Sequence, residues 1–168
     1  ILGLRKKIAQ NMVDSKRNIP HFSYVEEVDV TDLEKVRSDL NAKYDQRARL
    51  TMLPLLIRGV CKLVSLYPIM NAHYDDGADI LTQYGSVHMG IATQTEAGLL
   101  VPVIEKAETK NLWQLASEIT TLAASARDGN LKPEKLRGST ITLTSLGPLG
   151  GLVTTPIINR PEVAIIGP

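Results

Sequence analysis

A run of hydroxyl side chains followed by glycines lies near the carboxyl end of the chain. Residues 140–144 (TITLT) alternate threonine with apolar side chains, which predicts a strand with one polar and one apolar face. Ser145 follows, and Gly147, Gly150 and Gly151 then turn the chain. Hydroxyls at the end of a strand, beside glycines that let backbone N–H groups approach a ligand, suit stabilisation of an oxyanion. Such a site still needs a base.

The histidines are the first candidates for that base, and the chain has three. His21 and His88 each stand at the start of a predicted strand with no second ligand or base at metal spacing, so we expect structural roles. His73 precedes Tyr74-Asp75-Asp76-Gly77, as if an aspartate were to orient it as a base. A strand that ends in Asp-Asp-Gly is also an ordinary hairpin turn, and we favour that interpretation.

The remaining candidates favour ordinary structural roles. Cys61 is the only cysteine, which excludes an intrachain disulfide and a multi-cysteine metal site. It falls near the apolar face of a predicted helix, and we expect a buried, inert thiol. The glycines from Gly147 to Gly151 make a weak phosphate loop, because neither a helix N-terminus nor a lysine follows where one would be required. No metal site is expected.

Length and charge limit the class of protein. A chain of 168 residues is of ordinary size for one domain. The 19 basic and 18 acidic residues give a net charge of +1, too neutral for a surface that depends on nucleic acid or anionic lipid. No apolar run reaches about 18 residues, and the amino terminus lacks the layout of a signal peptide. We therefore expect a soluble protein without nucleic-acid or membrane partners.

The elements that must position the hydroxyls alternate between helices and strands, which predicts an α/β protein, more narrowly an α+β two-layer sandwich. Helices are predicted at residues 4–15, from 31 to about 44, at 52–66, and from 112 to the glycine at 129. Strands are predicted at residues 22–30, 71–74, 80–83, 87–93, 99–104, 140–144 and 163–166. The apolar strand 163–166 is followed at once by the end of the chain, which predicts a truncated domain.

Local signals refine three of these helices. Thr31 and Glu34 have the spacing of a capping box. Pro54 falls in the first turn of the third helix, where proline is tolerated, and Asn111 is a predicted cap of the last helix. The predicted buried face of the second helix consists of Leu33, Val36, Leu40 and Tyr44.

Seven segments, in order along the whole chain, resemble the catalytic domain of the dihydrolipoyl acyltransferases of 2-oxo acid dehydrogenase complexes. They are residues 4–12 (LRKKIAQNM), 19–22 (IPHF), 27–31 (EVDVT), 53–56 (LPLL), 88–92 (HMGIA), 98–104 (GLLVPVI) and 154–159 (TTPIIN). Residues 20–29 (PHFSYVEEVD) resemble the branched-chain type most. The resemblance implies a chloramphenicol-acetyltransferase-like fold over residues 1–168, a homotrimer with sites between subunits, and assembly of trimers into a hollow multienzyme core.

The activity implied by this resemblance is acyl transfer between the dihydrolipoyl thiol and coenzyme A. A histidine would act as base and a hydroxyl would stabilise the tetrahedral oxyanion. The lipoyl group would be carried on a separate domain. The implied partners are further copies of the chain, the decarboxylase and the dihydrolipoyl dehydrogenase components, in the bacterial cytoplasm or the mitochondrial matrix.

The resemblance also implies site residues. Thr144 takes the position of the catalytic hydroxyl, and Ser145 would line the coenzyme A channel. Arg37 and Thr51 match coenzyme A contacts, and a guanidinium suits a phosphate. Gln94 stands where the family usually has aspartate before Thr-x-x-Gly-Leu, which alters the charge interactions of that position.

The family's base belongs to an Asp-His-Arg-x-x-Asp-Gly motif downstream of Pro168, so we expect an incomplete catalytic domain that is inactive alone. A non-catalytic assembly domain of the same fold is the alternative, and a free-standing acetyltransferase acting on a small alcohol is a third possibility.

Overall fold

The computed structural model describes residues 3–145 and 153–168, which form four helices and eight strands. The helices are α1 (Gly3–Asn18), α2 (Thr31–Lys43), α3 (Met52–Leu66) and α4 (Leu112–Arg127). The strands are β1 (Ala72–Asp75), β2 (Ile80–Gln83), β3 (Met89–Ile91), β4 (Thr93–Thr95), β5 (Gly98–Leu100), β6 (Val103–Ile104), β7 (Ile141–Leu143) and β8 (Ile165–Ile166). The mixture of helices and sheets confirms the predicted class.

A four-stranded mixed sheet in the order β6-β3-β7-β8 forms the centre of the fold. Strand β3 pairs antiparallel with β6 and parallel with β7, and β7 pairs parallel with β8. Parallel neighbours need a long crossover, and α4 lies in the segment that joins β6 to β7. Strand β7 is therefore an interior strand with a parallel neighbour on each side.

The apolar face of this sheet packs on α3 and α4. Ile57 of α3 and Leu115 of α4 are fully buried together with Met89, Ile141 and Leu143 of the sheet. The sequence predicts both helices well because both have local signals besides an apolar face. Helix α3 has the predicted bounds, and α4 begins after a capping box in which the Asn111 side chain accepts from the Gln114 N–H at 2.9 Å.

Two short hairpins flank the sheet. Strands β1 and β2 pair antiparallel around the predicted Asp75-Asp76-Gly77 turn, where the Asp75 carboxylate accepts from the Gly77 N–H at 2.9 Å. The predicted strands 87–93 and 99–104 are each divided in the structure, since β4 and β5 form a separate hairpin beyond β3 and β6. The strands near the carboxyl end are shorter than predicted, and α1 extends three residues further, to Asn18.

The strand predicted at residues 22–30 is wrong for this structure. These residues form no ladder with any described residue, although their pattern is typical of a strand. Phe22 is 90% exposed, Tyr24 81% and Val28 68%. A strand needs a neighbour to receive its backbone hydrogen bonds, and the described part of the chain offers none here.

Helix α2 also departs from the sequence-based expectation. Thr31 and Glu34 form no capping box: the Thr31 N–H donates to the Asp29 carboxylate at 2.9 Å, and Glu34 pairs with Arg37 instead. None of the helix is buried; Val36 is 48% exposed. The apolar positions of α2 were predicted from their spacing, which does not show whether the same chain covers them.

No helix in residues 3–145 and 153–168 has both the length and the apolar character that a bilayer span requires. The same residues contain no group of three or more histidine, cysteine, aspartate or glutamate side chains placed to bind a metal ion.

The exposed apolar residues of the segment 22–30 predict that the chain associates. We expect sedimentation velocity at micromolar concentration to show oligomers, because an apolar surface of this kind gains free energy on burial. The double substitution Phe22→Ser and Tyr24→Ser should shift the distribution toward monomer. Val153→Ser, at a residue that is 59% exposed outside this segment, is the control. A monodisperse wild-type monomer would contradict the prediction.

Candidate active site

Thr144 and Ser145 lie directly after β7. The Thr144 N–H donates to the Ile166 carbonyl at 2.8 Å, which continues the β7–β8 ladder by one bond. Thr144 is half-buried and Ser145 is exposed. Within the described residues, the Thr144 hydroxyl has no hydrogen-bond partner. The structure therefore places a half-buried threonine, fixed by its backbone hydrogen bond, at the carboxyl end of an interior strand.

The polar face of β7 is buried as deeply as its apolar face. Thr140 and Thr142 are each 1% exposed. The Thr140 hydroxyl donates to Asn71 Oδ1 at 2.6 Å and accepts from the His88 N–H at 3.0 Å. The alternation predicted from the sequence is correct, but the polar face lies against the protein rather than solvent. Each buried hydroxyl on it consequently needs a partner.

Glu162 supplies the partner for the next hydroxyl along this face. It is 2% exposed, and its Oε1 accepts from Thr142 Oγ1 at 2.9 Å, from Asn159 Nδ2 at 3.0 Å and from the Ser139 hydroxyl. Its Oε2 has no partner among the described residues. The pKa of Glu162 is raised because burial penalises the charged form, although hydrogen bonds from Ser139, Thr142 and Asn159 act in the opposite direction.

Gly90 makes this arrangement possible from the neighbouring strand. It pairs with Thr142 in the β3–β7 register. A Cβ at this position would come within 2.6 Å of Thr142 Oγ1 and 2.8 Å of a methyl group of Val101. No real side chain fits that space, so β3 requires glycine where it passes the threonine hydroxyl.

Arg37 binds the residue next to Thr51. Thr51 is exposed at the start of α3. Arg37 Nη1 donates to the carbonyl of the preceding residue, Leu50, at 3.0 Å, and its Nε donates to Glu34 at 2.8 Å. Asn41 binds both backbone groups of Leu50, which fixes this link between α2 and α3. The pKa of Glu34 is lowered by the hydrogen bond from Arg37.

Within the described residues, no hydrogen bond joins Arg37, Gln94 and Thr144 to one another. Gln94 lies in β4 with its side chain exposed and its amide donating to the Thr95 carbonyl at 3.3 Å. The structure thus brings together Thr144 with Ser145, and Arg37 with Thr51. The predicted turn glycines Gly147, Gly150 and Gly151 lie outside the described residues.

Two of the histidines have fixed structural contacts. His21 Nε2 accepts from the Ile158 N–H at 2.9 Å, so Nδ1 carries the proton and donates to the Ile19 carbonyl at 2.9 Å. His73 Nε2 lies 2.7 Å from the Ser139 carbonyl, and the Tyr84 hydroxyl lies 3.0 Å from Nδ1. No aspartate in the described part of the chain binds the His73 ring. These contacts agree with the structural roles expected for both histidines.

Cys61 and His88 are also placed as structural residues. Cys61 is buried in α3, and burial raises the pKa of its thiol to about 11, as an inert thiol requires. His88 is half-buried directly before β3, and its backbone groups, rather than its ring, bind Thr140.

Sequence reasoning missed Glu162 and Asn71. Both are polar residues that are almost fully buried by contacts with residues far away in the sequence. One signal was available for Glu162, which directly precedes the apolar run at residues 163–166. A carboxylate next to a buried strand is itself expected to be buried, and a buried carboxylate needs hydrogen-bond donors.

The chain is similar in sequence to a known protein family. Residues 1–168 match the model of the family described as 2-oxoacid dehydrogenases acyltransferase (catalytic domain). The chain belongs to this family. Over 168 residues it is 57% identical to the lipoamide acyltransferase component of the branched-chain alpha-keto acid dehydrogenase complex of Pseudomonas aeruginosa, with 99% of the chain and 39% of that protein covered. It therefore spans about two fifths of the length of this relative.

Solved structures of family members have the same fold. One is a dihydrolipoamide acetyltransferase of Azotobacter vinelandii, investigated for the role of a serine, a histidine and an asparagine in its catalytic mechanism. Another is the cubic core of a pyruvate dehydrogenase multienzyme complex. Each matches with a TM-score of 0.93 and 39% identity, over 98% of this chain and 68% of the other. The acyltransferase catalytic-domain fold predicted from the resemblance is confirmed.

Because the pKa of Glu162 is raised, ionisation of this residue should lower the free energy of unfolding of the protein as the pH rises. A folded-state pKa above the unfolded value gives stability that is present below the unfolded pKa and lost as the pH rises through the folded pKa. Glu162→Gln cannot ionise, so its free energy of unfolding should increase relative to that of the wild type as the pH rises from the pKa of a free carboxyl towards the raised pKa of Glu162. Each unit of pKa difference corresponds to about 1.4 kcal/mol. Urea unfolding across this range measures the gap.

Glu105→Gln is a control with the opposite sign. The pKa of Glu105 is lowered by its hydrogen bond from Lys135, so this variant should lose stability relative to the wild type as the pH rises up to the pKa of a free carboxyl, and the difference should stay constant above it. Parallel curves for Glu162→Gln and the wild type would show that burial does not control this carboxyl.

Proposed function

We propose that this chain is the acyl-transferring core of a lipoamide acyltransferase in a branched-chain 2-oxo acid dehydrogenase complex. It moves an acyl group between a dihydrolipoyl thiol, carried on a separate lipoyl domain, and coenzyme A. The family match and the 57% identity to the Pseudomonas aeruginosa component support this activity and the branched-chain assignment. The bacterial relatives favour the bacterial cytoplasm as its compartment.

The observation that carries the proposal is the Thr144 hydroxyl. Among the buried and half-buried hydroxyls on this face of residues 140–144, Thr140 and Thr142 are bound to protein groups, whereas that of Thr144 has no partner in the described residues. A preorganised donor at a strand end stabilises a developing oxyanion without reorganisation during the reaction.

The reaction begins when a base removes the proton of the coenzyme A thiol. The thiolate attacks the carbonyl carbon of the acyl-dihydrolipoyl thioester, and Thr144 donates to the oxygen of the tetrahedral intermediate. Collapse of the intermediate breaks the bond to the dihydrolipoyl sulfur, which takes the proton back from the base. One thioester bond forms and one breaks.

We do not assign the base to His21 or His73, because both ring nitrogens of each have partners in the protein. The family's histidine belongs to an Asp-His-Arg-x-x-Asp-Gly motif that is not among these 168 residues. The investigation of a serine and a histidine in the Azotobacter vinelandii relative supports a hydroxyl and an imidazole as the catalytic pair.

We assign the coenzyme A contacts to Arg37, Thr51, Gln94 and Ser145. A guanidinium beside an exposed hydroxyl at a helix start suits a phosphate, and Arg37 and Thr51 flank Leu50 in this way. Ser145 follows the catalytic hydroxyl and lines the channel. Gln94 replaces the family's usual aspartate with a neutral amide, so it contributes a hydrogen bond without charge.

We further propose that the chain assembles into trimers and a larger core that binds the decarboxylase and dihydrolipoyl dehydrogenase components. The cubic core formed by a solved relative supports assembly, as do the exposed apolar side chains of residues 22–30. A purely structural core domain would assemble without turnover, and an assay of the full-length protein distinguishes the two.

Thr144→Ala in the full-length protein should lower kcat by about 100-fold with little change in KM, because one oxyanion donor is lost. Ser145→Ala should mainly raise KM for coenzyme A, since adjacent side chains on a strand point to opposite faces. Steady-state transfer between acyl-coenzyme A and dihydrolipoamide measures both. Normal kcat in Thr144→Ala with loss of activity in Ser145→Ala would show that Ser145, and not Thr144, is the oxyanion donor.

Arg37→Ala should raise the dissociation constant of coenzyme A about 10-fold or more, because a charge-assisted hydrogen bond contributes about 1.5 to 3 kcal/mol. Isothermal titration calorimetry on the full-length protein measures it. Glu34→Gln is the matched control: it breaks the same ion pair but keeps the guanidinium, so affinity should be retained or increased. Equal weakening by both variants would assign Arg37 a structural role.

A further inference from the structure

The segment that supports Thr144 is short. Strands β7 and β8 share only two residue pairs, Thr142 with Ile165 and Leu143 with Ile166, before the bond from Thr144 to Ile166. So short a ladder fixes the strand register weakly by backbone hydrogen bonds alone. A slip of one residue would turn every side chain of the strand to the opposite face.

Glu162 joins the two strands by side chains at the other end of this ladder. It lies three residues before Ile165, and its Oε1 accepts from Thr142 of β7 and from Ser139, two residues before β7. Asn159 binds the same oxygen, and its backbone carbonyl accepts from the Glu162 N–H at 3.0 Å. The carboxyl oxygen is thereby held on its own segment and on β7.

The contacts of Glu162 are specific to one register. Thr142 Oγ1 sits against Gly90, where no Cβ can enter, so its hydroxyl has a fixed position on this face. If β8 moved by one residue, the buried carboxyl would lose its two donors on the β7 side, Ser139 and Thr142, and those donors would lose their acceptor. Buried polar groups without partners are costly, and the correct register is favoured accordingly.

We propose that Glu162 is a positioning residue: by accepting from Ser139, Thr142 and Asn159 it sets the register of β8 against β7 and so holds the Thr144 hydroxyl in place. This role rests on the proposed function for its catalytic consequence. Thr142 and Thr144 lie on the same face of the strand because side chains two residues apart do so, and the ladder bond from Thr144 continues that geometry. Glu162 itself touches no reacting group.

The kinetic test uses the full-length protein and five variants. Glu162→Leu removes the acceptor and should lower kcat about 10- to 100-fold with KM for coenzyme A within about 3-fold, since a displacement near 1 Å has this cost. Glu162→Gln keeps an acceptor oxygen and should stay within about 3-fold of the wild type. Thr142→Val, which removes the hydroxyl, should lower kcat, whereas Thr142→Ser, which keeps it, should retain the wild-type kcat. Glu105→Gln, an exposed carboxyl paired with Lys135, is the neutral control.

A second readout does not depend on activity. Amide hydrogen exchange of Thr144, whose N–H binds Ile166, should accelerate about 10-fold or more in Glu162→Leu and Thr142→Val and stay near the wild-type rate in Glu162→Gln. The Ile91 N–H, which binds the Pro102 carbonyl in another part of the sheet, should keep its rate in all variants. Acceleration at both amides would indicate general destabilisation and overturn the positioning role.

The outcomes separate the two proposals. If the wild type transfers no acyl group, the proposed function fails, and the exchange rates still decide the role of Glu162. If the wild type is active and Glu162→Leu and Thr142→Val are folded with unchanged kcat and unchanged Thr144 exchange, the positioning role is wrong. Loss of kcat in Glu162→Gln equal to that in Glu162→Leu would also overturn it, because the amide preserves the acceptor.

Discussion

The fold depends on keeping an interior strand buried on both faces. Strand β7 presents Ile141 and Leu143 to the helices and Thr140 and Thr142 to the opposite side, and all four are about 1% exposed. The apolar pair needs only a well-packed core, whereas each threonine must replace the water that it loses with a protein partner. Asn71 and Glu162 are those partners. The loops that lead to β1 and β8 are therefore fixed by the same requirement that fixes β7.

The elements that the sequence predicts well are those whose determinants are local. Helix α4 begins at the cap residue Asn111, which the sequence predicts, and the β1–β2 hairpin turns at Asp75-Asp76-Gly77 as predicted. The predicted strand at 22–30 and the predicted buried face of α2 were wrong because burial and ladder pairing depend on neighbours. Spacing gives the period of an apolar face but not what covers it.

The site divides in the same way. The resemblance selected Thr144, Arg37 and Thr51, and alternation along the strand predicts only that Thr144 and Ser145 point to opposite faces. Glu162 could not be predicted from these patterns, because its donors lie 3, 20 and 23 residues away along the chain. Nor could a motif show that His73, with an aspartate nearby in sequence, would bind Tyr84 and the Ser139 carbonyl instead. Long-range side-chain pairs require the folded chain.

The two halves of the proposed site differ in what holds them. The hydroxyl half is internal: Thr144 continues a strand whose neighbours and polar contacts all belong to the described chain. Of the proposed coenzyme A contacts, Arg37 is carried by α2, which has no buried residue and follows the exposed apolar segment 22–30. Rigid positioning of a catalytic group needs support from packed neighbours. Since α2 has no residue buried by the described part of the chain, the position of the Arg37 side chain should depend on assembly with other subunits far more than that of Thr144.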